Sequence, residues 1–175
     1  NVESFNIQIN PLPTANTTPN LITCDDNAYD LIEIFDLSVQ TPVILGAQNP
    51  ANFTVTYYET QDDADNATNP ITNLTLASPN NEDYFIRIEN NNTNCFNTSS
   101  FLTIVNRKPF IELNDVPLCL DHLPLMVTAE TGISTDNYSW TPGGQNTAEI
   151  TINTVGTYGV TITTQFGCTF TTSFV

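Results

Sequence analysis

The sequence predicts an all-β protein built from tandem β-sandwich domains. Short segments rich in β-branched and aromatic residues recur roughly every 8–12 residues between turn residues, and no segment keeps a helical periodicity. The chain also repeats itself: Cys95–Phe101 and Cys168–Phe174 share one cysteine-to-phenylalanine spacing, filled largely with Thr and Ser. Such self-similarity indicates that one structural unit occurs more than once.

A third partial copy lies at the start of the chain. Ser4–Ile9 (Ser-Phe-Asn-Ile-Gln-Ile) is similar to Ser100–Val105 (Ser-Phe-Leu-Thr-Ile-Val). We therefore expect the last strand of a preceding repeat plus a linker, then a first sandwich, then a second one, in residues 1–12, 13–107 and 108–175. The first strand has no partner of its own, so we expect strand 4–10 to dock on a neighbouring repeat or on another copy.

Alternating patterns place the strands of the first sandwich. Phe53–Glu59 is the clearest, because β-branched and aromatic residues alternate over seven positions. Gln61–Asn66 is consistent with one helical turn or a loop. The remaining predicted strands are 31–37, 71–77, 84–89 and 99–105.

In the second sandwich, glycines such as Gly156 and Gly167 separate the strands. The predicted strands are 123–128, 138–140, 148–153, 157–163 and 169–175. Trp140 lies on a central strand and is expected in the core.

Four cysteines, two per repeat, predict disulfides in an oxidising compartment. In an immunoglobulin-like topology the start of the domain and its last hairpin lie at one end. We therefore expect one intradomain bond in each domain, Cys24–Cys95 and Cys119–Cys168. Four buried thiols are the alternative, whereas zinc is disfavoured because there is no CxxC spacing and one histidine, His122.

The charge of the chain excludes several partners. Three basic residues stand against nineteen acidic ones, for a formal net charge of −16. Binding to nucleic acid requires cationic side chains that neutralise phosphates, so nucleic acid and anionic membranes are poor partners. No apolar run is long enough to cross a membrane. An acidic surface instead suits solubility and cation binding.

Motifs in both halves resemble a known family. Residues 24–27 (Cys-Asp-Asp-Asn), 41–50 (Thr-Pro-Val-Ile-Leu-Gly-Ala-Gln-Asn-Pro) and 53–64 (Phe-Thr-Val-Thr-Tyr-Tyr-Glu-Thr-Gln-Asp-Asp-Ala) resemble repeats of giant surface adhesins of gliding bacteria, which use type IX secretion. Residues 138–144 (Tyr-Ser-Trp-Thr-Pro-Gly-Gly) and 156–163 (Gly-Thr-Tyr-Gly-Val-Thr-Ile-Thr) resemble the PKD-like, immunoglobulin-related module of such proteins.

The resemblance implies a structural or adhesive fragment of a large secreted protein at the bacterial cell surface. Adhesion, gliding or a surface filament is the expected role, and no catalytic residue is implied. The alternative is a carbohydrate-binding accessory module of a secreted multidomain enzyme. Exposed aromatic side chains would support that alternative, and Tyr29, Tyr57, Tyr58 and Phe166 are the candidates.

One acidic segment predicts a cation site. Asp25, Asp26, Asn27 and Asp30 place four oxygen ligands within six residues, a density that suits calcium. A solvated acidic turn is the alternative. The acidic run at 62–65 is a weaker candidate, because the first turns of helices are commonly acidic. No other cofactor is expected.

Overall fold

The computed structural model describes residues 5–26, 29–115 and 122–175. The chain divides into two compact units. Unit 1 contains the described residues up to Thr23 together with Ile32–Val105, and unit 2 contains those of Cys24–Leu31 and Asn106–Val175. The segment after Cys24 therefore belongs to unit 2, although it interrupts unit 1 in sequence.

Unit 1 is mainly β-structure with four short helical segments. Its strands are β1 (Leu21–Cys24), β2 (Ile32–Asp36), β3 (Phe53–Tyr58), β4 (Thr75–Pro79), β5 (Glu82–Asn90) and β6 (Phe96–Asn106). One sheet has the order β1-β6-β5-β3, and the second pairs β2 with β4. The predicted all-β class is confirmed.

The core of unit 1 lies between these two sheets. Phe35 on β2, Tyr57 on β3 and Ile86 on β5 are among its buried side chains. A polar group is buried with them: the Tyr84 hydroxyl donates to Ser78 Oγ at 3.0 Å, and Ser78 Oγ lies 2.7 Å from Thr103 Oγ1. Because each hydroxyl has a partner, this group is buried without an unpaired polar atom.

The α-helices are α1 (Thr41–Leu45) and α2 (Gln61–Asn66), and two 3₁₀ helices cover Leu37–Gln40 and Pro50–Asn52. Pro42 in the first turn of α1 has a φ that suits a helix start. Thr60 caps α2, because its side chain accepts from the Asp63 N–H at 3.1 Å. The run 61–66, for which the sequence allowed a helical turn or a loop, is thus a helix, and it packs against β3 and β5.

Unit 2 contains β7 (Leu125–Thr128), β8 (Asn137–Thr141), β9 (Glu149–Ile152), β10 (Tyr158–Thr163) and β11 (Thr169–Phe174). One sheet has the order β11-β10-β8, and the second pairs β7 with β9. Trp140 is fully buried in the core between them, as predicted, and its Nε1 donates to the Thr147 carbonyl oxygen at 2.9 Å.

The two units share one arrangement of five strands. In unit 1, β2 pairs with β4, and β3, β5 and β6 lie in the larger sheet, which β1 also joins. In unit 2, β7 pairs with β9, and β8, β10 and β11 form the larger sheet. The matching extends to side chains: Tyr84 lies opposite Phe101 in the register of β5 and β6, and Tyr158 lies opposite Phe174 in that of β10 and β11. Both pairs are stacked, with centroids 5.9 and 6.0 Å apart. The repeat in the sequence is therefore a repeat in structure.

Residues 5–10 form no strand within this chain. Phe5, Ile7 and Ile9 are 83%, 77% and 91% exposed. The alternating pattern that predicted a strand is thus present without a pairing partner, and a strand needs one to be stable.

Candidate functional site

A disulfide joins Cys24, the last residue of β1, to Cys168, which directly precedes β11. Their Cα atoms lie 5.6 Å apart. The turn before β11 holds Cys168 in place, because the Thr164 N–H donates to the Cys168 carbonyl and the Cys168 N–H donates to Thr164 Oγ1. Gly167 supplies the positive φ of +85° that this turn requires.

The predicted pairing of Cys24 with Cys95, and of Cys119 with Cys168, is therefore wrong. Cys95 is a free thiol, and Cys119 lies outside the described residues. Cys24 and Cys168 instead bond to each other across 144 positions of sequence.

The direction of the first segment explains the error. Along it, Thr18 contacts Ser100, Asn20 contacts Leu102, and the Asp25 N–H donates to the Asn106 carbonyl. The segment therefore runs beside β6 in the same direction and brings Cys24 to the far end of that strand. Cys95 precedes the near end, and eleven strand residues separate the two ends by about 35 Å.

Of the predicted cation ligands, Asp25 and Asp26 lie together. A carboxylate oxygen of each lies within 4.8 Å of the other. Asp25 is only 4% exposed, and its Oδ1 accepts from the Leu31 N–H at 3.3 Å. Asp30 is exposed, and Asn27 lies outside the described residues.

The second acidic run, 62–65, lies within helix α2. The Asp63 carboxylate accepts hydrogen bonds from the side chains of Thr60, Thr68 and Asn69. These hydrogen bonds hold the pKa of Asp63 below its usual range, and the bond from Thr60 has the largest effect. The carboxylate therefore connects the N-cap residue of α2 to the residues that follow the helix.

Glu33 on β2 was not among the predicted site residues. Its Oε1 is buried and has no hydrogen-bond partner within the described part of the chain. A buried, unpaired carboxylate oxygen is costly. The alternation of β2 indicates this position, because Glu33 falls on the same side as the buried Phe35, while Ile32 and Ile34 are exposed.

Two of the three basic residues have structural roles. Arg87 is 7% exposed and donates to the carbonyl oxygens of Ala64 and Asp65 at the end of α2, at 2.9 and 3.1 Å. It also pairs with Glu89 and lies 3.4 Å from the centre of the Phe96 ring.

Arg107 pairs with Asp136 in unit 2. One guanidinium nitrogen contacts both carboxylate oxygens, at 2.6 and 2.8 Å, and Thr131 Oγ1 donates to the same carboxylate. The Asp136 side chain is fully buried, so this pairing compensates a charge that water cannot reach.

Of the four aromatic residues considered for sugar binding, two are buried and two are exposed. Tyr57 and Tyr58 are each 2% exposed, so they form no surface platform. Tyr29 and Phe166 are exposed. Tyr29 packs on Phe110 with ring planes inclined at 56°, which is not the flat stacking surface that a sugar ring prefers.

These features define a class: an all-β module whose first strand ends in a long-range disulfide. The chain belongs to a family that matches residues 20–109, the Flavobacterium inter-domain disulphide bond domain. Cys24 lies within the matched residues and Cys168 lies outside them, so the bond joins the matched segment to residues beyond it. The disulfide and the family indicate an extracellular protein. Among the described residues, no helix has the length and apolar character needed to cross a bilayer.

Two solved structures share weak similarity with the chain. Three N-terminal domains of the highly immunogenic outer capsid protein of bacteriophage RB49 match at 18% identity and a TM-score of 0.29, over 74% of this chain and 50% of that one. The Bacteroides ovatus glucan-utilisation protein SGBP-B, in complex with a mixed-linkage heptasaccharide, matches at 13% and 0.22, over 92% and 43%. The chain thus spans half or less of these structures, and scores this low carry no functional argument. No curated protein matches the sequence.

Proposed function

We propose that the chain is a non-catalytic structural repeat of a large secreted protein at the bacterial cell surface, where it carries mechanical load in adhesion. The adhesin-like motifs of both halves support this role, as does membership of a disulfide-bonded extracellular family. Type IX secretion and gliding are part of the proposal through the same resemblance.

The observation that carries the proposal is the position of the disulfide in the chain. Cys24 and Cys168 enclose strands β2 to β10, so only residues 1–24 and 168–175 lie outside the closed loop. A force applied between the two ends passes through the bond and does not extend the enclosed strands. A module of this kind keeps its length under tension, which suits a protein that holds a cell to a surface.

The charge pattern supports an extended surface role. At a net charge of −16, neighbouring copies repel one another unless specific contacts hold them. Arg87 and Arg107 are committed to ion pairs inside their units. With three basic residues in all, the chain has little positive charge with which to bind anionic polymers.

Single-molecule pulling tests this proposal. With handles at both termini, the oxidised chain should gain no length from the enclosed residues. After reduction, the 144-position separation should add about 500 Å of contour length, at about 3.5 Å per residue. Cys95→Ser provides the control and should pull like the unmodified chain. Release of the full length by the oxidised chain would contradict the load-bearing role.

A further inference from the structure

Unit 2 has a small open pocket beside the turn that joins β10 to β11. Its volume is about 70 Å³, and it is lined by Arg107, by residues of the segment 133–136 and by the turn residues 164–166. Apolar and polar side chains meet there, because Ile133 and Phe166 are 44% and 63% exposed beside an ion pair. A few polar groups that converge beside apolar surface are typical of a small-molecule site.

The turn holds Phe166 in a fixed position. The Gly167 N–H donates to the Thr164 carbonyl at 3.0 Å, and the Cys168 N–H donates to Thr164 Oγ1 at 3.1 Å. The disulfide to Cys24 then anchors the end of the turn. A ligand therefore meets an exposed aromatic ring on a backbone that is already ordered, which lowers the cost of binding.

The ion pair between Arg107 and Asp136 forms a second wall. Nη2 of Arg107 contacts both carboxylate oxygens, whereas Nε and Nη1 make no hydrogen bond within the described residues. The Arg107 side chain is 41% exposed, and that of Asp136 is fully buried. Asp136 thus fixes the guanidinium from behind, and Arg107 keeps hydrogen-bond donors for a ligand.

Gln165 and Thr135 add groups that both donate and accept hydrogen bonds. Both residues are exposed, and their side chains have no hydrogen-bond partner in the described part of the chain. An amide and a hydroxyl match a ligand whose own groups donate and accept, as the hydroxyls of a sugar do.

Charge and size narrow the class of ligand. At a net charge of −16 the chain repels anions, and the pair of Arg107 with Asp136 is neutral as a whole. The free groups of Arg107 are donors, which disfavours a cation. A cavity of about 150 Å³ holds one benzene ring. A pocket of about 70 Å³ therefore takes one substituent of a sugar ring and not the ring itself.

We propose that this pocket binds one hexose unit of a neutral glycan. The apolar C–H face of the sugar packs on Phe166, its hydroxymethyl group enters the pocket, and its hydroxyls pair with Arg107 and Gln165. Asp136 is a positioning residue, because it acts by holding Arg107. The site stands apart from the load-bearing role, since a chain that binds no sugar can still carry load through its disulfide.

NMR titration of the full chain tests the proposal with β-1,4-linked tetramers of glucose, mannose, galactose and xylose. At least one hexose tetramer should bind with a Kd of about 1–10 mM, the range for a contact of one sugar unit. The xylose tetramer lacks the hydroxymethyl group and should bind about tenfold more weakly than that hexose tetramer. Absence of binding by all three hexose tetramers at about 10 mM would overturn the proposal, as would equal binding of xylose.

A titration with tetragalacturonate and a salt series test whether the ligand is neutral. The acidic tetramer should bind more weakly than the neutral hexose tetramer, and the Kd of the neutral one should not change between about 20 mM and 0.5 M salt. Tighter binding of the acidic tetramer, or a Kd for the neutral one that rises with salt, would contradict a neutral ligand.

Variants of Phe166 locate the contact on the protein. Phe166→Ala should weaken binding at least tenfold, whereas Phe166→Tyr keeps the ring and should bind like the unmodified chain. Met126→Ala is the control, because it removes a similarly exposed apolar side chain, at 68%, elsewhere in unit 2. Trp140 fluorescence reports whether each variant is folded. Unchanged binding by Phe166→Ala, or equal weakening by Met126→Ala, would overturn the proposal.

A second pair of variants tests the polar side of the pocket. Gln165→Ala should raise the Kd by about two- to tenfold, the effect of one hydrogen bond. Gln145→Ala removes another exposed amide of unit 2 and should leave the Kd unchanged. Equal Kd values for these two variants would contradict the assignment of the ligand to this pocket.

Discussion

Units 1 and 2 have the same five-strand arrangement but complete it differently. Unit 1 has β1 beside β6, and it buries a hydrogen-bonded Tyr84–Ser78–Thr103 group. Unit 2 has Trp140 at the centre of its core and contains the disulfide between Cys24 and Cys168. The difference shows that strand order alone does not determine how such a module is stabilised, since the buried side chains and the disulfide vary around a constant framework.

The largest effect is expected from the disulfide, which lies within unit 2. Cys24→Ser should lower the free energy of unfolding by about 5 kcal/mol on the chain-entropy model, because the bond closes a loop of 144 positions. Chemical denaturation followed by Trp140 fluorescence measures it, since Trp140 is the single tryptophan of the chain.

Cys95→Ser is the matched control and should change stability by less than about 0.5 kcal/mol, as is usual away from buried features. Peptide mapping without reductant should recover Cys24 linked to Cys168. A peptide that links Cys24 to Cys95 would contradict the assignment of the disulfide to unit 2 alone.

The next largest effect should be confined to unit 1. Arg87→Ala removes two hydrogen bonds to the end of α2, the ion pair with Glu89 and the contact with Phe96. We expect a loss of about 3 kcal/mol, at the low end for a buried pair because the Glu89 side chain is 29% exposed. Denaturation followed by far-UV circular dichroism, which reports both units, and by Trp140 fluorescence, which reports unit 2, measures it.

Arg87→Lys sharpens this test. Lysine keeps the charge but lacks the planar fork that reaches two carbonyls and a carboxylate together, so it should recover less than half of the loss. If the denaturation midpoint reported by Trp140 fluorescence shifts as far as that reported by circular dichroism, the effect of Arg87 is not confined to unit 1.

A smaller effect is expected from calcium at the segment of unit 2 that follows Cys24. If Asp25, Asp26, Asn27 and Asp30 bind the ion with the millimolar affinity of extracellular modules, 10 mM calcium should stabilise the chain by about 1–2 kcal/mol. Thermal unfolding with calcium and with chelator measures the shift. Asp26→Asn should reduce it, Asp62→Asn should not, and equal midpoints with and without chelator would rule the site out.

The smallest effect concerns alkaline pH and unit 1. Burial raises the pKa of Tyr57 above 10.0, with Asp36 adding to the rise and the hydrogen bond with Thr41 opposing it, and burial likewise raises the pKa of Tyr84. The folded pKa exceeds the unfolded one, so this stability is present in full below pH 10 and is lost as pH rises through the folded values.

Denaturation between pH 8 and pH 11, followed by far-UV circular dichroism, should therefore show stability falling above pH 10. A Cys95→Ser/Cys119→Ser background removes both cysteines other than the Cys24–Cys168 pair and so prevents thiol exchange with them at high pH. Tyr57→Phe should reduce the slope of stability against pH, and an unchanged slope would contradict this origin.

Much of the fold could be predicted from the sequence, because a strand that faces a core leaves a period of two. Phe53–Tyr58 and Tyr158–Thr163 lie where the alternation placed them. Tyr58 departs from the pattern because α2 packs against β3, so that both Tyr57 and Tyr58 are buried. Sequence alone does not show which outer faces a helix covers.

The disulfide could not be predicted in the same way. Which cysteines meet depends on the direction of the segment before Cys24 relative to β6, and that direction has no trace in local composition. The predicted cation residues are partly together, with Asp25 and Asp26 close to each other. Glu33 was not predicted, although the burial of Phe35 two residues later indicates that both side chains lie on the same side of β2.

The loop closed by Cys24 and Cys168 also determines how the chain responds to proteases. A single cut at any peptide bond between these two cysteines leaves both fragments covalently attached. The module can therefore be nicked in the extracellular medium and still connect whatever lies on either side of it, until a reductant opens the bond.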